Sequence, residues 1–381
     1  MIRINNPADC CGCTACASIC NHDAITMEPD ALGFLYPKVD ESKCVECGLC
    51  EKVCAFNDNY DKSLNLPKPD AYAARHKDIS KLRYSRSGAA FVALSDDIIQ
   101  RGGVIYGAGY EGFTRVIHKR AVSKSERDEF RGSKYVQSDL RGVFKNVKKD
   151  LQEGRIVLFS GTPCQTAALH SYIGNRYRAN LYLVDIICHS VPSPAIWRDY
   201  VNYIENKYNS KIIKLEFRDK SIGWYQTHLE SFTFADGCVH KDFLLRILFN
   251  AGYGTRPSCQ KCKFANIKRP SDITIGDFWG YEKVASEMNV DNKGISLVLC
   301  NTEKGQQLFS SVRSDLNSKQ VPLESALQPN LQHPSSVDPE YDQFAEDYKN
   351  KGFVYIGKKY ANIGYRYKLN QLLQKIKRHL P

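Results

Sequence analysis

From about residue 71 to residue 320 the chain alternates between short, nearly unbroken apolar runs and stretches with helical spacing. Arg155–Ser160 is the first clear run. Gly161-Thr162-Pro163 follows it, with Thr162 suited to an N-cap and Pro163 to a first helical position, and a helix is expected from Cys164 to about Tyr172. Leu181–Cys188 repeats the pattern, and Ser193-Pro194 opens a helix to about Lys207. Ile295–Cys300 is a third run, with Thr302 starting another helix. Apolar strands alternating with helices predict an α/β unit built on a mainly parallel sheet covered on both faces. Lys211–Arg218 and Glu230–His240 read as antiparallel additions, with a hairpin turn at Asp236-Gly237. Gly107-Ala108-Gly109-Tyr110-Glu111-Gly112 matches G-x-G-x-x-G, but Phe113–Arg120 after it reads as a strand and not a helix. A hairpin is therefore expected there, and no dinucleotide site is inferred.

The ends of the chain look different. Residues 1–60 are short of regular pattern and rich in turns and cysteine, as in a small α+β domain. Residues 61–70, with Pro67 and Pro69, read as a linker to the α/β unit at 71–320. Residues 321–347 carry Pro322, Pro329, Pro334 and Pro339 and are expected to be an irregular connector. Residues 348–381 form a basic tail in which Leu369, Leu372, Leu373, Ile376 and Leu380 recur at helical spacing. That spacing fits contact with a membrane surface or a partner.

Composition narrows the class. The 381 residues are 43% hydrophobic and 25% charged, an ordinary globular balance that excludes disorder and coiled coil as whole-chain classes. No apolar run approaches the ~18 residues of a membrane span, and the first residues lack the apolar core of an export signal, so a cytoplasmic location is expected. The net charge is +11, but residues 1–60 carry four Lys/Arg against nine Asp/Glu, whereas residues 348–381 carry nine basic residues and no acid. This is not the even basicity of a nucleic-acid binder, and no nucleic-acid partner is expected. The acidic module is expected to dock on the basic body of its own chain.

Of the 15 cysteines, nine lie between Cys10 and Cys54. The spacing C-x2-C-x2-C-x3-C occurs twice, as Cys10, Cys13, Cys16, Cys20 and as Cys44, Cys47, Cys50, Cys54. This is the bacterial two-cluster ferredoxin run, in which three closely spaced thiolates wrap one cube and the fourth reaches the other. The assignment is Cys10, Cys13, Cys16 and Cys54 for one [4Fe–4S] cluster and Cys44, Cys47, Cys50 and Cys20 for the second. Zinc sites draw two cysteines from each of two separated knuckles, which this spacing fits poorly. Asn21 and Ala55 stand where proline usually follows the fourth cysteine, a change that removes no ligand. Cys11 lies outside the spacing and reads as a spare thiol.

In the larger unit, Cys259-x2-Cys262 alone is compatible with a redox pair or a half-site. Cys164 at a helix start after one strand, and Cys188 at the end of the next, could face it across the crevice at the strands' C-terminal ends, so a third cluster is one of the arrangements left open. Cys238 and Cys300 read as structural. These motifs, with Arg131-Gly132-Ser133-Lys134-Tyr135-Val136-Gln137, Gly161-Thr162-Pro163-Cys164-Gln165, Asp185-Ile186-Ile187-Cys188-His189, Phe217-Arg218-Asp219-Lys220 and Ser271–Gly280, resemble the coenzyme F420 hydrogenase/dehydrogenase beta-subunit family fused to an N-terminal two-cluster ferredoxin. The resemblance runs from the ferredoxin to about residue 310.

The resemblance implies a flavoprotein oxidoreductase that holds FAD and a third [4Fe–4S] cluster on Cys164, Cys188, Cys259 and Cys262. It implies that Ser133, Lys134 and Tyr135 line the FAD, together with Thr162 and with Ser87 and Gly88 of the turn Ser85–Ala89. The expected reaction moves electrons between an external ferredoxin or other redox partner and a two-electron small-molecule substrate, coenzyme F420 or another reducible organic compound. His189, Asp277 and His228 are candidate proton donors near the crevice. Two other classes compete: an electron-transfer subunit of a larger complex without its own substrate site, and a metal-stabilised scaffold whose basic tail binds nucleic acid.

Overall fold

A computed structural model describes residues 1–363 apart from 58, 59, 222, 226–228, 251, 337 and 362. The hydrophobic spacing of Leu369–Leu380 and the candidate His228 thus lie outside the described residues. The N-terminal module holds a hairpin of β1 (Ile25–Pro29) and β2 (Leu35–Val39). Two short helices, Ala15–Ile19 and Leu49–Lys52, each begin after a residue in left-handed conformation, Thr14 and Gly48.

The body contains β3 (Asn65–His76), β4 (Val104–Glu111), β5 (Arg115–Ala121), β6 (Val157–Gly161), β7 (Leu181–Ile186), β8 (Ile212–Glu216), β9 (Glu230–Phe234), β10 (Val239–Asp242), β11 (Ile273–Asp277), β12 (Ser296–Thr302) and β13 (Leu316–Val321). Eight of them form one sheet in the order β13-β3-β12-β11-β7-β6-β4-β5. Its centre is parallel, β4–β6–β7–β11, and both flanks are antiparallel. Strands β8, β9 and β10 make a separate antiparallel sheet, with Gly237 at φ 82° in the hairpin turn. The fold is mixed α/β, as expected, but β12, read as one of the parallel runs, is antiparallel to β11. An apolar run reports burial on both faces and carries no direction.

Alternation explains why these runs are apolar throughout. In β6, Val157 and Phe159 enter the core that holds the helices Val143–Gln152 and Pro163–Ile173, while Leu158 enters the opposite core with the helix Ala90–Gln100. The glycine-rich run at 107–112 is indeed a hairpin, β4 pairing antiparallel with β5. Thr162 and Ser193 precede the two helices they were expected to cap.

Two expected segments differ. Residues 65–70 of the linker are strand, opening β3. Pro67 and Pro69 are tolerated because they lie beside the register shift against β12, beyond the last β13 pair at Ala71. The helix Tyr341–Tyr360 runs through the expected boundary at 347/348, its helical geometry interrupted at Gly352 (φ 76°). Phe344, Tyr348, Phe353 and Ile356 bury against the helix Pro194–Tyr208, which extracts order from a segment read as connector and tail. No described helix is long and apolar enough to cross a membrane.

The N-terminal module packs on the body through apolar surface more than through opposite charge. Val53, Ala55, Phe56 and Tyr60 share a core with Ala167, Ala168 and Phe264, and Phe34 is fully buried beside Ala195 and Tyr200. Ser193 Oγ donates to the Leu32 carbonyl at 2.5 Å. Among the described residues the ion pair across this junction is Lys145–Asp23, exposed and 3.7 Å apart. The expectation of charge-driven docking is corrected accordingly, because such an exposed pair contributes at most about 1 kcal/mol.

Candidate iron–sulfur relay and cofactor cavity

The structure brings the cysteines into three sets. Cys10, Cys13, Cys16 and Cys54 lie close enough to feel one another's charge. Cys20, Cys44, Cys47 and Cys50 line one small cavity of about 20 Å³ at the surface, where Cys47 is exposed. Cys164, Cys188, Cys259 and Cys262 likewise interact with one another. None of the 15 cysteines is in a disulfide. No group of three or more His, Cys, Asp or Glu side chains among the described residues closes to the geometry of a single ion. Four thiols around an iron–sulfur cube stand farther apart than four around one ion.

The inner set, Cys10 to Cys54, is fixed by Arg256, a residue that spacing gave no reason to select. Its side chain is 1% exposed, and it donates to the carbonyls of Cys10 (2.8 Å) and Leu35 (2.9 Å) and to Gln137 Oε1 (2.9 Å). Its guanidinium lies 4.4 Å from the Tyr36 ring and 3.7 Å from Cys10 Sγ. Gly12 passes directly beneath it at φ +66°, and a Cβ there would stand 2.6 Å from Arg256 Nη1. Glycine is therefore required on both counts. Gln137 in turn donates to the Cys11 carbonyl at 2.9 Å, so one chain of polar groups ties the cysteine loop to the body.

The third set stands at the C-terminal end of the parallel sheet. Cys164 is the second residue of the helix after β6, and Thr162 N donates to Gln165 Oε1 at 2.9 Å, closing the turn. Cys188 follows β7, Cys259 lies within the turn Pro257–Lys261, and Cys262 directly follows it. Burial pushes the Cys259 thiol up to about 12 and that of Cys262 to about 11. Hydrogen bonding by Cys11, with Thr162 adding to it against the cost of burial, brings Cys164 down to about 7.

Beside this set opens a cavity of about 850 Å³, at the upper end of ligand-site sizes. Ser87, Ser133, Lys134, Tyr135 and Thr162 line it, and so does Cys188. Gly88 does not; it packs behind the wall, where a Cβ would collide with the Ala74 carbonyl. Four cations, Arg86, Arg131, Lys134 and Arg218, face one lining acid, Asp277. Asp277 accepts from Arg218 Nη1 (2.6 Å) and from Trp224 Nε1 (3.1 Å), and Arg86 Nε lies 3.5 Å away. Against the upward pull of burial, Arg86 and Arg218 hold its carboxyl below the usual range. In this position it serves as the counter-ion of both guanidinium groups. Lys134 donates to the Glu129 carbonyl at 2.8 Å, and burial pushes it down to about 7. His189 lines the cavity as well.

Arg86 Nη1 and Arg131 Nε are buried without a hydrogen-bond partner among the described residues. Two helices of eleven residues, Ala90–Gln100 and Pro163–Ile173, begin at the wall. Such unsatisfied donors and helix N-termini suit a phosphate-bearing ligand. Phe91, Phe130, Ile187, Ile275 and Trp279 add apolar surface for a flat ring, and residues 328–336 cross one side of the cavity. A dinucleotide flavin has both features, so the residues present fit it. Sequence reasoning quoted Arg86, Arg218 and Trp279 within motifs but assigned them no role, and it missed the 328–336 wall.

A cysteine-rich module joined to a mixed α/β body, with thiols running to the edge of a cationic cavity, defines a class of iron–sulfur redox proteins. Residues 154–325 match the family described as the C terminus of the coenzyme F420 hydrogenase/dehydrogenase beta subunit, and residues 9–57 match the 4Fe-4S dicluster domain. The chain is thus similar to this beta-subunit family over residues 154–325 and carries a match to the 4Fe-4S dicluster domain ahead of it. It is 25% identical over 221 residues to the F420-dependent formate dehydrogenase 1 subunit beta of Methanococcus maripaludis, a match covering 57% of this chain. The chain spans about half the length of that curated relative. A chain of the F420-reducing [NiFe] hydrogenase complex from Methanosarcina barkeri is similar at a TM-score of 0.48 and 18% identity, covering 79% of this chain and 95% of that one.

Proposed function

We propose that this chain is an iron–sulfur flavoprotein oxidoreductase that moves electrons between an external carrier and a two-electron organic substrate. Cys20, Cys44, Cys47 and Cys50 hold the outer cluster, Cys10, Cys13, Cys16 and Cys54 the inner one, and Cys164, Cys188, Cys259 and Cys262 a third. FAD occupies the 850 Å³ cavity. The observation that carries the reading is Cys188, which belongs to the third cysteine set and also lines the cavity.

Bound FAD supplies the exchange between single-electron and two-electron steps. The chain's own part is positioning. Arg86 and Arg131 receive the phosphates, Asp277 keeps Arg86 and Arg218 oriented, and the 328–336 segment limits access of water. The related formate dehydrogenase subunit is named for coenzyme F420, which makes that deazaflavin the first substrate to test. The same name, a subunit of a larger enzyme, favours the second reading, in which this chain only relays electrons to a partner that holds the active site.

The test is Cys188→Ala in protein purified without oxygen. About one third of the iron should be lost, FAD should stay bound, and reduced ferredoxin should no longer bleach the flavin absorbance. Full iron content and unchanged bleaching would contradict the assignment. Turnover of coenzyme F420 by the isolated chain separates the first reading from the second.

A further inference from the structure

Arg256 carries a full charge into the junction between module and body, where its side chain is almost wholly buried. Its partners among the described residues are two carbonyls, the Gln137 amide oxygen, Cys10 Sγ and the rings of Phe34 and Tyr36. None of these is a carboxylate. Asp30 feels the charge, but its carboxylate accepts instead from the backbone N–H groups of Leu32 (3.0 Å) and Phe34 (2.8 Å). A buried cation without an ionic partner is costly. The other two cysteine sets are arranged differently. Arg269 donates to the carbonyls of Ile186 and Phe264, each two residues from a cysteine of the third set, but Asp185 at 3.0 Å neutralises it. The cavity of the outer set is lined by no lysine or arginine, and the Met1 ammonium there pairs with Glu51 at 3.7 Å.

We propose that Arg256 is the counter-ion of the inner cluster and holds its reduction potential above that of the outer cluster, an inference that rests on the cluster assignments above. A [4Fe–4S] cube on four thiolates carries about −2 when oxidised and one negative charge more when reduced. That anion supplies the opposite charge the junction lacks. The guanidinium keeps its proton at any ordinary pH, so its field is fixed. A fixed positive charge favours the more negative state, which is the reduced inner cluster. Donation from Arg256 Nη2 to Cys10 Sγ, 3.7 Å apart, acts in the same direction. The buried site screens this field little, whereas the outer set, with Cys47 exposed, has no such cation beside it. An electron entering at the outer cluster therefore moves inward. Arg256 belongs to the body and Cys10 to the module, so this bias exists only while the two are docked.

The experiment is an EPR-monitored redox titration, with iron counts, of the anaerobically purified full chain as wild type, Arg256→Gln, Arg256→Lys and Gln137→Leu. Cys47→Ala, changed at the exposed cysteine, identifies the outer signal. In wild type the inner cluster should be reduced at the higher potential of the two. Arg256→Gln should lower its reduction equilibrium at least tenfold, 59 mV for one electron, and leave the outer signal within twofold. Arg256→Lys keeps the charge and should recover most of the shift. Gln137→Leu cuts a tie of the junction without changing its charge and should leave both potentials in place. An inner potential unmoved in Arg256→Gln would overturn the proposal. So would an equal shift in Gln137→Leu, because docking and not charge would then set the potential. Loss of about four irons in Arg256→Gln with full iron in Arg256→Lys would support the counter-ion role, and the same loss in both would overturn it. Wild-type protein with fewer than about eight irons would refute the cluster assignments themselves.

Discussion

Replacing Arg256 with methionine tests how the cysteine module is held. Methionine fills much of the volume but removes three short charge-assisted donations, to the Cys10 carbonyl, the Leu35 carbonyl and Gln137 Oε1, and leaves those acceptors in a buried site. A hydrogen bond from a charged donor contributes about 1.5 kcal/mol or more, and part of the loss is recovered by the apolar stem. The net weakening of the module–body junction is therefore about 3 kcal/mol. Each 1.4 kcal/mol changes the open population tenfold, so detachment should become about a hundredfold more frequent. Tryptic cleavage after the exposed Lys62, followed under native conditions at low protease, reads that population. Arg256→Lys should fall between the two, because an ammonium cannot reproduce the planar fork that spans three acceptors. Cleavage of Arg256→Met within threefold of wild type would refute the argument and place the docking energy in the apolar contacts of Phe34 and Phe56.

Other outcomes follow from single residues. Gly12→Ala should lower the melting temperature by several degrees, because it forces a side chain against Arg256 at positive φ, and should do so less in an Arg256→Met background. Asp277→Asn removes the counter-ion of Arg86 and Arg218; thermal unfolding should show a loss of about 3 kcal/mol, and flavin affinity should change with it. Burial pushes His118 down to about 4 from its usual 6.5. Between those values the unfolded chain binds a proton that the folded chain does not, so stability should rise with pH from about 4 to 6.5, by up to about 3 kcal/mol from this group. His118→Phe, which keeps the ring stacked 5.0 Å from Phe159, should flatten that limb of a pH series of melting curves.

The pattern of strands and caps was legible where local chemistry decides it. Thr162-Pro163 and Ser193-Pro194 sit where a cap and a first-turn proline are wanted, and the strand after Gly107–Gly112 argued correctly for a hairpin. The direction of β12 was not legible, because burial on both faces is the same whichever way a central strand runs. Nor was the strand character of Asn65–Asp70, where β3 itself carries the extra residues of a register shift against β12 that includes both prolines. Cysteine spacing was readable because chelation imposes short, repeated intervals. Arg256 was not, since its three acceptors come from segments more than a hundred residues away and it follows no period.

The central claim is that three cysteine sets lead to a flavin cavity, and its most direct test is the composition of the anaerobically purified chain. Iron counted per chain and flavin released on denaturation should give about twelve irons and one FAD. About eight irons with no flavin would contradict the account, leaving the dicluster module as the redox-active part and the cavity without the role assigned to it.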